Sequence, residues 1–352
     1  MVAHERGISI FAFAAGFLWD SLTLTRVDRL FDNLVLASYL LVVFVSIMLT
    51  HAHKAGRFQG PLSRKGVTLF QFLLPFAFGG LFSGFLIFYF RSGEVLANAP
   101  FLLVLVALLV GTEFFRHHYQ RFTFQLSVFF VALFSYAVLI VPVLLRRIGD
   151  IVFLLSGLVA ILTFTFLVRL LARVDRVEYE QSRRTLFPII GIIYITFNFL
   201  YFNNMIPPIP LSLKEIGVYH TVERAPGGGY FLSYEKAPWY AIGLTTSRVF
   251  HRGVGESAYA FSSVFAPMNL STDIRHRWLY FDSAKREWVT VAMIRFPISG
   301  GRDEGFRGYS VKENLQVGKW RVDVETLRGQ IIGRFNFEVK DGAPLAMKEE
   351  KR

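Results

Sequence analysis

The chain has no cysteine, so disulfide bridges, thiolate metal ligands and a cysteine nucleophile are all excluded. Charge is scarce as well. Asp, Glu, Lys and Arg make up 18% of the 352 residues, against 53% hydrophobic, and the mean hydropathy is +0.43. A soluble domain of this length needs more charge to cover its surface. Acidic residues are the scarcer sign: 26 Asp and Glu stand against 38 Lys and Arg, giving a net charge of +12. Complete catalytic motifs are also missing. No Gly-x-Ser-x-Gly elbow, His-Glu-x-x-His helix or Gly-x-Gly-x-x-Gly turn occurs in a suitable context. Gly227-Gly228-Gly229 is followed by neither Lys-Ser/Thr nor a helical pattern, which makes it a hairpin tip rather than a phosphate loop. Basic residues form no ladder with stacking aromatics, so nucleic acid is not an expected partner. No cofactor is implied.

Long apolar runs dominate the first 210 residues. A membrane span needs roughly 20 apolar residues. Leu34–Ala52, Val67–Phe90, Pro100–Tyr119, Phe122–Leu145, Ile151–Leu171 and Phe187–Ile206 meet that requirement. Ile8–Leu24 is shorter and contains Asp20, so it either spans or re-enters. The expectation is about seven transmembrane helices. Met1–Gly7 carries no cleavable-signal pattern and should stay on the mature chain. With the N-terminus inside, the inner loops hold Lys54, Arg57, Arg64, Lys65, Arg116, Arg121, Arg173, Arg176, Arg183 and Arg184. The outer loops hold Arg26, Arg29, Arg91, Arg146 and Arg147. Ten against five puts the C-terminal part outside, the periplasm of a bacterial inner membrane, with the lipid bilayer as the first partner.

The sequence changes character after Ile206. Pro207-Pro208-Ile209-Pro210 ends the last span stiffly, and from Gly217 apolar and polar residues alternate. Glu256–Phe265, Ile274–Phe281, Trp288–Phe296, Lys319–Glu325 and Gln330–Val339 read as strands, separated by Asp282-Ser283, Gly300-Gly301 and Arg328-Gly329. Seven or eight short strands predict an all-β, Ig-like sandwich. The expected organisation is a helical membrane domain over 1–209, a proline-containing linker over 210–216, a periplasmic sandwich over 217–340 and a disordered charged tail over 341–352.

Several stretches carry a resemblance. They are Phe261-Ser262-Ser263-Val264-Phe265-Ala266-Pro267, His276-Arg277-Trp278, Gly318-Lys319-Trp320-Arg321-Val322-Asp323-Val324 and Phe335-Asn336-Phe337-Glu338-Val339. Together they resemble an uncharacterised bacterial domain of unknown function that is often carried at the C-terminus of membrane-anchored proteins. The resemblance covers about Glu256–Val339. Trp19-Asp20-Ser21-Leu22-Thr23-Leu24 and Ile206-Pro207-Pro208-Ile209-Pro210-Leu211 look like motifs of multi-pass proteins with this domain. It implies a bacterial source and an Ig-like sandwich; no activity or catalytic residue is implied.

Three groups of residues are candidates for chemistry. Asp20, Arg26, Asp28, Arg29 and Asp32 form a polar cluster at the first hairpin. It is either an interfacial salt-bridge set that includes Asp20 or a polar pocket at the outer leaflet. Glu113 and His117 lie four apart on one helix face, and His51 and His53 lie at the same depth. These four are weak metal-ligand candidates, with snorkelling basic residues the plainer reading. On the sandwich, His276, Trp288, Arg302, Arg321 and Asp323 are the candidate surface. Alternation nevertheless puts His276 in an inward row with Trp278 and Tyr280, and a satisfied structural histidine is the more frequent outcome. Trp239-Tyr240 and Trp288 can meet sugar rings, a partner protein or the membrane belt. The leading expectation is a non-enzymatic membrane protein whose sandwich binds or scaffolds an envelope protein or glycan. A membrane-embedded enzyme acting on a lipid-linked substrate near Asp20 stays open, as does a transporter subunit.

Overall fold

The computed structural model describes residues 17–18, 20–57, 61–114, 121–238, 246–253, 255–344 and 347–352. The chain splits into two units. One is Met1–Phe90 with Asn98–Pro210; the other is Arg91–Ala97 with Leu211–Arg352.

In the first unit the apolar runs become helices: α1 Leu30–Lys54, α2 Pro61–Arg91, α3 Ala99–Phe114, α4 Phe122–Leu145, α5 Asp150–Val174 and α6 Arg176–Phe202. Polar residues set the ends. Asp175 caps α6 by accepting from the Glu178 N–H at 3.1 Å, and Arg146 closes α4 in the left-handed region, φ 54°. The helices are apolar nearly all round, the pattern of a lipid-immersed or fully buried helix. Large apolar side chains such as Ile151, Leu162, Phe166, Ile192 and Ile195 remain on the outside. Inside, aromatic rings interlock, with Phe153 stacked on Tyr201 at 3.7 Å and Phe134 on Phe197 at 4.4 Å. Small residues admit close approach. A Cβ on Gly84 would stand 2.7 Å from Leu36, and one on Gly80 2.7 Å from the Tyr39 ring, so α1 and α2 meet along a glycine seam.

Among the described residues five helices, not seven, are long and apolar enough to cross a membrane: α1, the Leu73–Arg91 part of α2, α4, α5 and α6. Two expected spans are described only in part. The described part of α3 has 16 residues, and residues 115–120 lie outside the described set. Most of Ile8–Leu24 also lies outside it, leaving a helical turn over residues 20–23.

The second unit is sheet-rich, with eleven strands: β1 Ser212–Tyr219, β2 Thr221–Arg224, β3 Tyr230–Glu235, β4 Val249–Arg252, β5 Ala258–Phe265, β6 Ser271–Asp282, β7 Glu287–Ser299, β8 Phe306–Lys312, β9 Gly318–Thr326, β10 Ile331–Asp341 and β11 Met347–Lys351. They form sheets ordered β1-β5-β8, β4-β10-β9-β6-β7 and β11-β3-β2. The first two contribute to one apolar layer, which contains Val218, Ala258, Ala260, Trp278, Trp320, Val322, Phe335 and Phe337. Within the five-stranded sheet the register sets Arg277 and Arg334 on either side of Asp323, and Arg275 beside Glu325.

Two expected boundaries are corrected. The linker over 210–216 is shorter, because β1 begins at Ser212. The charged tail is not disordered throughout: residues 347–351 pair antiparallel with β3. The backbone edge of β3 supplies partners that composition does not reveal. Tyr234 then donates to Glu350 at 2.7 Å, and together with Lys348 it holds that carboxyl below its usual range.

Candidate functional site

The first hairpin brings four of its five predicted residues into one turn. The buried Asp32 carboxylate accepts from the Thr25 and Arg26 N–H groups at 2.9 and 3.0 Å. Arg26 pairs with Asp28 at 2.7 Å, and Arg29 donates to Thr25 Oγ1 at 2.7 Å. Asp20 lies beside Ser83 of α2. The arrangement staples the chain into α1.

His51 is buried. Its Nε2 faces Gln125 Oε1 at 3.1 Å and its Nδ1 stands 3.6 Å from Asp175, so it ties α1 to α4 and to the α5–α6 junction. His117 and the side chain of Glu113 lie outside the described residues. Among the described residues, no group of three His, Asp or Glu is disposed to hold a metal ion; His53 is part of no such group.

His276 was placed on the candidate sandwich surface, and the structure corrects that: it is fully buried. Its Nε2 meets Ser262 Oγ at 2.7 Å and its Nδ1 meets Ser310 Oγ at 2.8 Å, while Trp278 Nε1 donates to the same Ser310 hydroxyl at 3.0 Å. Burial pushes the imidazole down to about 3, so it is neutral at ordinary pH. One histidine thereby links β6 to β5 and β8 through two hydroxyls, a polar rivet in the core.

The opposite face of the five-stranded sheet is built from charge. Asp323 and Glu325 of β9 are 0% exposed, so Asp323 too is no surface residue. Arg334 Nε donates to Asp323 Oδ1 at 2.7 Å, Arg275 Nε to Glu325 Oε1 at 2.5 Å, and Arg277 Nη2 reaches Asp323 and Glu325 at 3.3 and 3.1 Å. The fourth guanidinium, Arg321, stands 3.5 Å from Asp323 and 4.5 Å from the centroid of the Trp288 ring. Burial pulls Arg321 downward, Asp323 acts against that, and Arg334 and Arg277 add to the depression. Arg334 goes the other way: burial opposes its charge, but the Asp323 hydrogen bond and carboxylate raise it above the usual arginine value. The segment 91–97 joins this unit through the Glu94 N–H, which donates to the Ile331 carbonyl at 3.1 Å. The Glu94 carboxylate stands 4.0 Å from Arg334.

Trp288, Arg321 and Asp323 are thus brought together. His276 lies on the opposite, inner face, and the exposed Arg302 sits in the loop after β7, over the Phe306 ring at 5.7 Å. Residues matching that face were missed in the sequence, namely Arg275, Arg277, Arg334 and Glu94. Each lies on a different strand or loop from Asp323, and only register brings them to it.

Residues 271–339 match the family described as "Protein of unknown function (DUF2914)". The matched stretch runs from β6 to β10 and contains every charged group of the face except Glu94. It begins later than the Glu256 start of the resemblance. No curated protein matches the chain. Among solved structures, β-glucosidase from Listeria innocua in complex with isofagomine is 14% identical, with a TM-score of 0.20, over 34% of this chain and 17% of that one. The chain therefore spans about a sixth of the glucosidase. The Pseudomonas fluorescens alkylpurine DNA glycosylase AlkC, bound to DNA containing an abasic site analog, is 11% identical with a TM-score of 0.20, over 90% of this chain and 99% of that one. Likeness at this level carries no argument.

A second polar cluster, also unforeseen, occupies the β3–β4 region. His220 faces Glu256 at 2.6 Å through Nδ1 and Glu235 at 3.2 Å through Nε2. Glu235 also accepts from the His251 N–H, and its other oxygen faces His251 Nδ1, both at 2.7 Å. Buried carboxylate and imidazole satisfy one another, which suits a structural pin.

Proposed function

We propose that the chain is a multi-pass protein of a bacterial inner membrane whose C-terminal sheet unit, an Ig-like sandwich, stands in the periplasm and binds or scaffolds an envelope partner, protein or glycan, without catalysing a reaction. The observation that carries this reading is the charged outer face of the five-stranded sheet. It is a rigid constellation on three paired strands, flanked by Trp288, with guanidinium groups not fully matched by acid. The cluster of His276 with Ser262 and Ser310 is sealed in the core and offers no substrate access.

Chain parity supports the membrane part. Residues 91–97 belong to the sheet unit, so the chain must leave and return to the same side of a membrane between residues 97 and 211. That takes an even number of crossings. Helices α4, α5 and α6 supply three, and α3 is the fourth. Its 16 described residues rise about 24 Å of a hydrocarbon core of roughly 30 Å. The lysine and arginine bias of the loops independently favours the outside for the same segments.

A photo-crosslinking residue at Met293, exposed on β7 and paired with Arg277, tests the partner in intact cells. A discrete adduct at 293, absent with the same residue at Phe231 of β3, is the expected result. No adduct at 293 under any growth condition contradicts the reading.

A second reading rests on Asp32, whose buried Oδ1 has no hydrogen-bond partner among the described residues. With Asp20 nearby in sequence, it would serve a membrane-embedded enzyme acting on a lipid-linked substrate. Asp20→Asn would then alter the envelope lipid or glycan profile in a folded protein; an unchanged profile removes this reading.

A further inference from the structure

We infer that the outer face of the β6-β9-β10 sheet is a binding site for a phosphoryl group, centred on Arg321 and Arg277 beside Trp288, and that Glu94 is its internal occupant. This deepens the reading of the sheet unit as a binding module by naming the ligand chemistry. Charge is the first argument. Four guanidiniums, Arg275, Arg277, Arg321 and Arg334, face two buried carboxylates, Asp323 and Glu325. The surplus is two positive charges, which Glu94 halves. Hydrogen bonding is the second. Among the described residues Arg321 makes no hydrogen bond: its contact to Asp323 is an ion pair at 3.5 Å and its Nε is buried without an acceptor, as is Arg277 Nε. A guanidinium has five N–H donors, and a site that leaves them idle on a partly buried arginine is short of an anion. All four arginines retain some exposure, between 15% and 26% of the side chain, so an anion in solution can reach them.

A phosphoryl group fits better than a carboxylate. It carries about −1.5 to −2 charge at neutral pH, which matches the surplus, and its three oxygens accept from two guanidinium forks at once. Arg321 and Arg277 supply two forks from adjacent strands, one across from Leu279 and the other across from Asp323. Glu94 meets the face through its long contact to Arg334. At 4.0 Å from Arg334 it forms the longest ion pair on the face, whereas its backbone N–H is fixed to Ile331. Its Oε2 also accepts from the Ala97 N–H at 2.7 Å, so an entering anion replaces Glu94 only at Arg334.

The test uses the full chain in detergent, titrated with inorganic phosphate and separately with dioctanoyl phosphatidic acid, with binding read by calorimetry. Phosphate binding is expected in the wild-type protein. Arg321→Gln and Arg277→Gln should each weaken it about tenfold or more, the loss of a charge-assisted hydrogen bond. Glu94→Gln should tighten it. An unchanged melting profile of the Gln variants separates lost binding from lost folding, and Arg302→Gln, away from the face, should leave binding intact. Phosphatidic acid binding at least tenfold tighter than phosphate identifies a lipid headgroup as the source; equal affinity identifies a soluble phosphate. Absence of phosphate binding in both wild type and Glu94→Gln, or binding indifferent to Arg321→Gln and Arg277→Gln, overturns the site. The Met293 adduct would survive that failure, so the two results distinguish this inference from the partner-binding reading.

Discussion

The Arg321 guanidinium lies over the Trp288 indole, 4.5 Å from the ring centroid, on a sheet surface where the neighbouring carboxylates are already taken by other arginines. A cation over an aromatic ring keeps its charge without consuming hydrogen-bond donors. The pair therefore combines a fixed position with unused donors, the property on which the proposed anion site depends.

Asp323 anchors that lattice, because Arg277, Arg321 and Arg334 all converge on it. Asp323→Asn leaves three arginines short of a buried counter-charge and should destabilise the sheet unit by about 3 kcal/mol, the scale for breaking one partner of a buried pair. Asp273→Asn breaks the more exposed pair with Arg295 and should cost about 1 kcal/mol or less. Hydrogen exchange of β9 and β10 amides in both variants measures the difference, and equal protection would contradict it.

Acid sensitivity follows from His276. Its folded value is depressed to about 3, against about 6.5 for an unfolded histidine. Between those values the unfolded chain binds a proton that the folded chain refuses. Stability is thus fully present above about pH 6.5 and is lost as pH falls toward 3, by up to about 1.4 kcal/mol per pH unit. Melting temperature against pH should show this slope in the wild type and lose it in His276→Gln, whose amide can still bond both serine hydroxyls.

The glycine seam gives a prediction for the helical unit. Gly84→Leu drives a side chain into Leu36, 2.7 Å from the position of its Cβ, and should destabilise the α1–α2 contact by about 1–3 kcal/mol. Gly191→Ala on α6, with open space around it, should be neutral or stabilising by up to about 1 kcal/mol. Thermal aggregation in detergent separates the two.

Deleting residues 347–352 removes β11 and the Tyr234–Glu350 hydrogen bond. Faster exchange at Phe231–Glu235, with little change in β9, is the expected outcome.

Much of this architecture was legible where one chain segment carries the whole signal. The two-residue period of Trp320, Val322 and Val324 marked β9 and its inner face, and the same period put His276 inward, where the structure buries it. Apolar runs marked the helices from Leu30 onward. Signals that depend on a distant partner were not legible. Met347–Lys351 reads as charged tail until β3 offers its edge. Arg275, Arg277 and Arg334 look like ordinary solvated strand residues until register sets them around Asp323. Nothing near Glu94 announces that its loop belongs with strands more than a hundred residues later.

The absence of cysteine makes the central claim directly measurable. Single cysteines at Leu96 in the 91–97 loop, Ser283 in the β6–β7 turn and Gln181 in α6, all exposed positions, can be labelled in intact spheroplasts with a membrane-impermeant maleimide. The account predicts that positions 96 and 283 label from outside and that 181 labels only after the membrane is opened. Labelling of 96 and 283 from opposite sides, or of 283 only after opening, would contradict it.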